Sequence, residues 1–207
     1  MADSIVIVSA ARTPIAGLLG DFSSLAAWEL GAVAIRAAVE RAGVPGDSID
    51  EVLMGNCLMA GQGQAPARQA MRRAGLPDST GAVTLSKMCG SGMRAMMFAC
   101  DALASGSANV MVAGGMESMT NAPHLMFARK GVKYGAAQLF DHMAMDGLED
   151  AYERLPNGGG KAMGCSLKRV STNTSSAAKH KISSPSPRPS APRRPTKTAA
   201  STGRWPR

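Results

Sequence analysis

Aromatic side chains are scarce in this chain, 4% of its 207 residues, with two Trp, two Tyr and four Phe. Proteins that bind single-stranded nucleic acid stack bases on such rings, and few are available here. The four cysteines, Cys57, Cys89, Cys100 and Cys165, lack the close pairing of a zinc site, so no metal centre is expected. No apolar run reaches the roughly 18 residues needed to cross a membrane. The N-terminus also lacks the charged-then-apolar layout of a secretion signal. These absences predict free thiols in a reducing cytoplasm and no membrane partner.

Acidic residues are missing from one end. The formal charge of +8 first suggests a polyanion partner, but residues 165–207 hold ten of the 23 basic residues and none of the 15 acidic ones. Residues 1–164 therefore carry thirteen basic against fifteen acidic residues, a balance of −2. Beyond Gly164 there are 14 Ser or Thr, six of the 12 prolines and a single aromatic, Trp205. Such a segment cannot bury enough apolar surface to offset its ordering entropy, and disorder is expected for residues 165–207.

What is present is a repeating strand–helix pattern. Ser4–Ala11 (SIVIVSAA) is a β-branched run without polar alternation, as in a strand covered on both faces. A helix follows over LAAWELGAVAIRAAVERAG, with Ser24 as its start signal and Gly43 as its stop. Strands are predicted over Glu51–Gly55, Ala82–Lys87 and Asn109–Ala113, and further helices over Ala65–Ala74 and Gly90–Ser105. The pattern predicts an α/β layered fold with a mostly parallel sheet flanked by helices. Residues 1–117 form the main domain. Residues 118–164, less regular and rich in Met and Gly, begin an excursion that carries binding loops, and residues 165–207 are the basic tail.

The stretch KMCGSGMRA (residues 87–95) places Cys89 where a strand gives way through a Gly-containing turn to a helix. Unpaired amides and the macrodipole at a helix start favour a thiolate. Gly90 and Gly92 leave room for a substrate beside the sulfur. A free cysteine is also a common buried hydrophobe, and local chemistry leaves both roles open.

Four stretches narrow the choice: VSAARTPIAGLLGDF (8–22), GNCLMAGQGQAPARQA (55–70), LSKMCGSGMRAMM (85–97) and VAGGMESMTNAPH (112–124). In this order they resemble the N-terminal half of the thiolases, the acetyl-CoA acetyltransferase and 3-ketoacyl-CoA thiolase family. The resemblance implies that Cys89 takes an acyl group from acyl-CoA as a thioester. The enolate of a second acetyl-CoA then attacks that thioester carbonyl, or CoA cleaves the product in reverse. It implies coenzyme A as substrate, no other cofactor, and a homo-oligomer for the full-length protein.

Other matched positions carry weaker expectations. Met163 matches a methionine that lines the CoA pocket, although Ala162 stands where a histidine is common. Arg68 lies in a run near the family's subunit interface, or is a solvated helix arginine. Gly114-Gly115 suits backbone passing close to the catalytic loop, or a simple turn. His124 and His142 fall on no family catalytic position and read as loop histidines.

The family's remaining catalytic groups are an Asn-Glu-Ala-Phe-Ala run, a Gly-His-Pro step and a Cys-x-Gly-Gly segment, and none occurs in these 207 residues. The chain by itself is therefore expected to be inactive or nearly so. The break in pattern at Cys165 suggests a reading-frame error. Codons TTC GCT GAA GAG for Phe-Ala-Glu-Glu become TCG CTG AAG AGx on loss of one T, which reads Ser166-Leu167-Lys168-Arg169. The rival class is a non-catalytic scaffold whose basic tail contacts polyanions, with salt-dependent binding as its signature.

Overall fold

Three parallel strands form the sheet: β1 (Glu51–Gly55), β2 (Gly81–Leu85) and β3 (Met111–Gly115), in the order β2-β1-β3. Glu51 pairs in register with Gly81 on one side and Met111 on the other. Three helices cover it, α1 (Ala27–Ala42), α2 (Pro66–Ala74) and α3 (Ser91–Ala104). The computed structural model describes residues 4–129, 131, 134–156 and 159–163, which lie in one compact unit. The predicted tail, residues 165–207, lies outside the described residues.

Alternation along β1 assigns the two layers. Val52 and Met54 face a cluster with Ala32 and Ile35 of α1, and Ala67, Ala70 and Met71 of α2. Leu53, between them, faces Ala95 and Ala99 of α3. Helices on both faces of a parallel sheet are the α/β layered arrangement expected from the sequence.

Local chemistry sets the element ends. α1 starts at Ala27 rather than at Ser24, because the Glu29 carboxylate reaches back to accept from the Ala26 amide at 2.9 Å. Gly43 ends it in the left-handed conformation, φ 65°. Pro66 opens α2, where a missing N–H costs nothing. β3 begins two residues later than predicted because the Asp50 carboxylate takes the Asn109 and Val110 amides, at 2.6 and 3.1 Å. β2 stops at Leu85, since the Lys87 amide bonds the Ser91 hydroxyl instead of a neighbouring strand.

The two amide bonds hold the Asp50 carboxyl below its ordinary 3.8, the Asn109 bond contributing most. A lowered carboxyl stabilises the fold above its unfolded value, and the contribution fades as pH falls through the folded one. Asp50→Asn is expected to lower the urea midpoint at pH 7. The gap to wild type should narrow at each pH step below 3.8. A gap that stays constant would remove the carboxylate from this account.

The strand predicted over Ser4–Ala11 does not form. Ile7 is 86% exposed, and Val6 and Val8 are exposed as well. A strand needs a partner for its amides and cover for its faces, and among the described residues this run has neither. Arg41 Nη1 to Ala10 O, at 3.0 Å, is one tether to the body.

Beyond β3 the chain makes small pieces: β4 (His124–Leu125) pairs antiparallel with β5 (Phe140–Asp141), and β6 (Glu149–Arg154) with β7 (Gly160–Ala162). A π-helical turn over Met143–Leu148 lies between them. Among the described residues no helix is long and apolar enough to cross a membrane.

Candidate active site

Close approach of backbones builds the site. α3 begins against the C-terminal ends of β1 and β3, the end of a parallel sheet where ligands bind in open α/β folds. A Cβ on Gly55 would lie 2.6 Å from Gly92 N and from Ser91 C and Cβ. A Cβ on Gly115 would lie 3.4 Å from Gly92 Cα. Gly115 therefore does serve backbone contact, whereas a Cβ on Gly114 would meet only the Met54 side chain at 3.5 Å; Gly55 is tighter than either, and the sequence singled it out only as a strand end.

The turn from β2 to α3 is clipped at both ends by one side chain. Ser91, 4% exposed, accepts from the Lys87 amide at 2.8 Å and donates to Met88 O. Met88 sits at φ 50°, a left-handed conformation that costs a residue with a Cβ roughly 1 kcal/mol. Cys89 follows it, solvent-exposed, and Gly90 is the N-cap of α3. Cys89 thus stands two residues ahead of a 14-residue helix, next to its N-cap.

The opposite wall is a loop held by one carboxylate. Glu117 accepts from Asn56 Nδ2 at 2.6 Å, from the Cys57 amide at 2.8 Å and from the Leu58 amide at 3.1 Å. Asn56, 1% exposed, also donates to Met116 O and accepts from Gln62 Nε2 at 3.0 Å. Charge-assisted bonds to two consecutive amides fix the loop after β1 against the loop after β3. Cys57 Sγ then lies 3.0 Å from Met88 O and 3.4 Å from Ser91 Oγ. The cavity between these walls is about 380 Å³ and is lined by Cys57, Cys89, Ser91 and Glu117 among others.

Asn56, Cys57 and Glu117 were missed as site residues. Their signal was positional: Asn56 and Cys57 follow Gly55, the end of a predicted strand, and Glu117 follows the Gly114-Gly115 pair by two.

The other candidates fall elsewhere. His142 is not a loop histidine: it is 5% exposed, its Nε2 accepts from the Ala60 amide at 3.3 Å, and its Nδ1 proton points at Asp146 Oδ2, 2.6 Å away. It braces the loop after β1 and does not line the cavity. His124 is exposed on β4. Arg68 reaches Thr80 O and Asp78 O, at 3.2 and 3.0 Å, tying α2 to the approach to β2 rather than standing free in solvent. Met163 is 41% exposed and is not among the residues lining the Cys89 cavity. A larger concavity, about 850 Å³, is lined by Met126, Phe127, Ala128 and Arg129 and carries no nucleophile. Among the described residues no group of three His, Cys, Asp or Glu is placed to hold a metal.

A strand–turn–helix carrying an exposed cysteine at the mouth of a glycine-lined cavity matches what the four sequence stretches implied. The family model described as thiolase, N-terminal domain, matches residues 5–178. The chain belongs to the thiolase family. A mitochondrial acetyl-CoA acetyltransferase of Xenopus tropicalis is 53% identical over 156 residues, which is 75% of this chain and 37% of the relative. The human protein of the same name is 50% identical over 154 residues, 74% of this chain and 36% of its own length. The Acat5 thiolase of Ascaris suum, solved in complex with coenzyme A, superposes with a TM-score of 0.74 at 38% identity, over 81% of this chain and 42% of that one. This thiolase chain therefore spans about two-fifths of the length of the relatives it matches.

Proposed function

We propose that this thiolase chain is the N-terminal half of an acetyl-CoA acetyltransferase, with Cys89 as the residue that carries the acyl group. The observation that carries the reading is the position of Cys89, exposed at the cavity mouth and immediately ahead of the N-cap of α3. Several relatives are named acetyl-CoA acetyltransferase, which supports acetyl-CoA over longer-chain substrates. Coenzyme A, bound by the Ascaris suum neighbour, is the substrate class, and no further cofactor is required by the chemistry.

The rest of the reading follows the family. Met163 contributes to the pantetheine pocket, and the full-length protein is a homo-oligomer. The three described cysteines are free, which suits a reducing compartment, whether the cytoplasm or the mitochondrion named for the relatives. The break at Cys165 is a frame shift, which is checked by restoring one base after that codon and asking whether a thiolase second half appears. The rival scaffold reading places its polyanion contact in the tail, residues 165–207, which lies outside the described residues.

Incubating the chain with acetyl-CoA and mapping tryptic peptides tests the assignment. Slow acetylation is expected on Met88–Arg94, which holds Cys89, and not on the peptides holding Cys57 or Cys100. It should vanish in Cys89→Ala. Acetylation spread evenly over all the cysteines would overturn the site.

A further inference from the structure

Two thiols, not one, line the cavity, and the acyl chemistry uses only Cys89. Cys57 Sγ lies 3.0 Å from Met88 O, the carbonyl oxygen of the peptide bond that leads into Cys89. A planar trans peptide holds that oxygen about 2.8 Å from Cys89 Cα, so the Cys57 sulfur is at most about 6 Å from Cys89 Cα. Cys89 Sγ lies about 2.8 Å from its own Cα, so a rotation about the Cα–Cβ bond that turns it toward Cys57 can bring the two sulfurs to about 3 Å, from which small side-chain adjustments close an S–S bond. Their environments differ: Cys89 is exposed, whereas Cys57 is half-buried against Met88 and Ser91. An oxidant from solvent meets Cys89 first.

We propose that Cys57 is the resolving thiol for Cys89, and that hydrogen peroxide converts the pair into an intramolecular disulfide that closes the acylation site. The Cys89 thiolate attacks the peroxide O–O bond and becomes a sulfenic acid, Cys89–SOH, while the leaving hydroxide takes up the proton the thiol gave up and departs as water. Cys57 sulfur then attacks the Cys89 sulfur, the S–S bond forms, and hydroxide leaves with the Cys57 proton as a second water. Two thiols lose two electrons and two hydrogens, and one peroxide becomes two waters. Trapping the sulfenic acid this way forestalls the irreversible sulfinic stage, and a dithiol reductant restores both thiols.

The geometry also selects against the other partners. Cys100 lies eleven residues along from Cys89, about 16 Å at the α-helical rise, beyond disulfide reach. The inference uses the cavity alone and does not depend on acyl transfer, so it stands or falls separately from the function proposed above.

The full chain, dilute and treated with hydrogen peroxide, then blocked with iodoacetamide and digested with trypsin without reductant, gives the test. The expected dominant form of Cys89 is the peptide Met88–Arg94 joined to Ala42–Arg68, two hydrogens lighter than their sum and lost on dithiothreitol treatment. In Cys57→Ser, peptide Met88–Arg94 should instead gain two oxygens that dithiothreitol does not remove. Wild-type Cys89 recovered as sulfinic acid, or joined to Cys100, Cys165 or a second chain, with no link to Ala42–Arg68, overturns the proposal.

Discussion

Acetoacetyl-CoA cleavage by the 207-residue chain, with free CoA as acceptor, is expected to be indistinguishable from that of its Cys89→Ala variant. A positioned general base is worth about 10²–10⁴ in rate. An oxyanion donor is worth about 10²–10³. The thiolase resemblance implies that a Gly-His-Pro histidine and an Asn-Glu-Ala-Phe-Ala run supply such groups, and neither motif occurs in these residues. Losses of groups that act as a unit do not multiply, so their joint absence leaves at most roughly 10⁻² of a complete enzyme's rate. The deficit should fall on the chemical step, so raising the CoA concentration will not recover it. A wild-type rate clearly above the alanine control would show that the Cys89 cavity assembles a working base from groups already present.

Gly55→Ala should produce the largest loss of stability of any single methyl addition in the site. The new Cβ would meet Gly92 N, Ser91 C and Ser91 Cβ at 2.6 Å, all of them atoms of, or directly on, the first turn of α3. No flexible side chain can yield, so either α3 lifts from the sheet or β1 bends. Overpacking of this kind costs about 1–3 kcal/mol and more where backbone must move, and a value at or above about 3 kcal/mol is expected. The same shift moves the Met88–Ser91 turn and with it Cys89. Gly17→Ala is the control, since a Cβ there would have nothing within 4 Å. Urea unfolding of both variants checks the contrast, and a Gly55→Ala midpoint equal to that of Gly17→Ala would mean the helix start is not held by this contact.

Several large apolar side chains lie outside the core. Met93, Met96, Met97 and Phe98 of α3 are exposed, as are Ile7, Val8 and Ile15 of the N-terminal run. Arg94 lies over the Phe98 ring at 4.1 Å and shields part of that surface.

Much of the layering was legible in the sequence because it rests on local rules. The short run Glu51–Gly55 is a strand from end to end, and α2 and α3 lie within a residue of their expected bounds, since Pro66, Gly75 and the Gly90–Ser91 turn act over a few residues. The Ser4–Ala11 run failed for the opposite reason. Its side chains announce burial on two faces, but strand formation depends on a neighbour that no local pattern can supply.

The sequence by itself determined the strand–helix alternation, the place of Cys89 at a helix start and the family, because spacing, caps and four contiguous stretches are properties of neighbouring residues. Only the tertiary structure decided that Gly55 sets the depth of α3, that Glu117 holds the loop carrying Cys57, and that Cys57 faces the Met88–Cys89 peptide. Those contacts join residues 31 to 61 positions apart, and such distances are fixed only when three parallel strands bring their C-terminal ends to one edge.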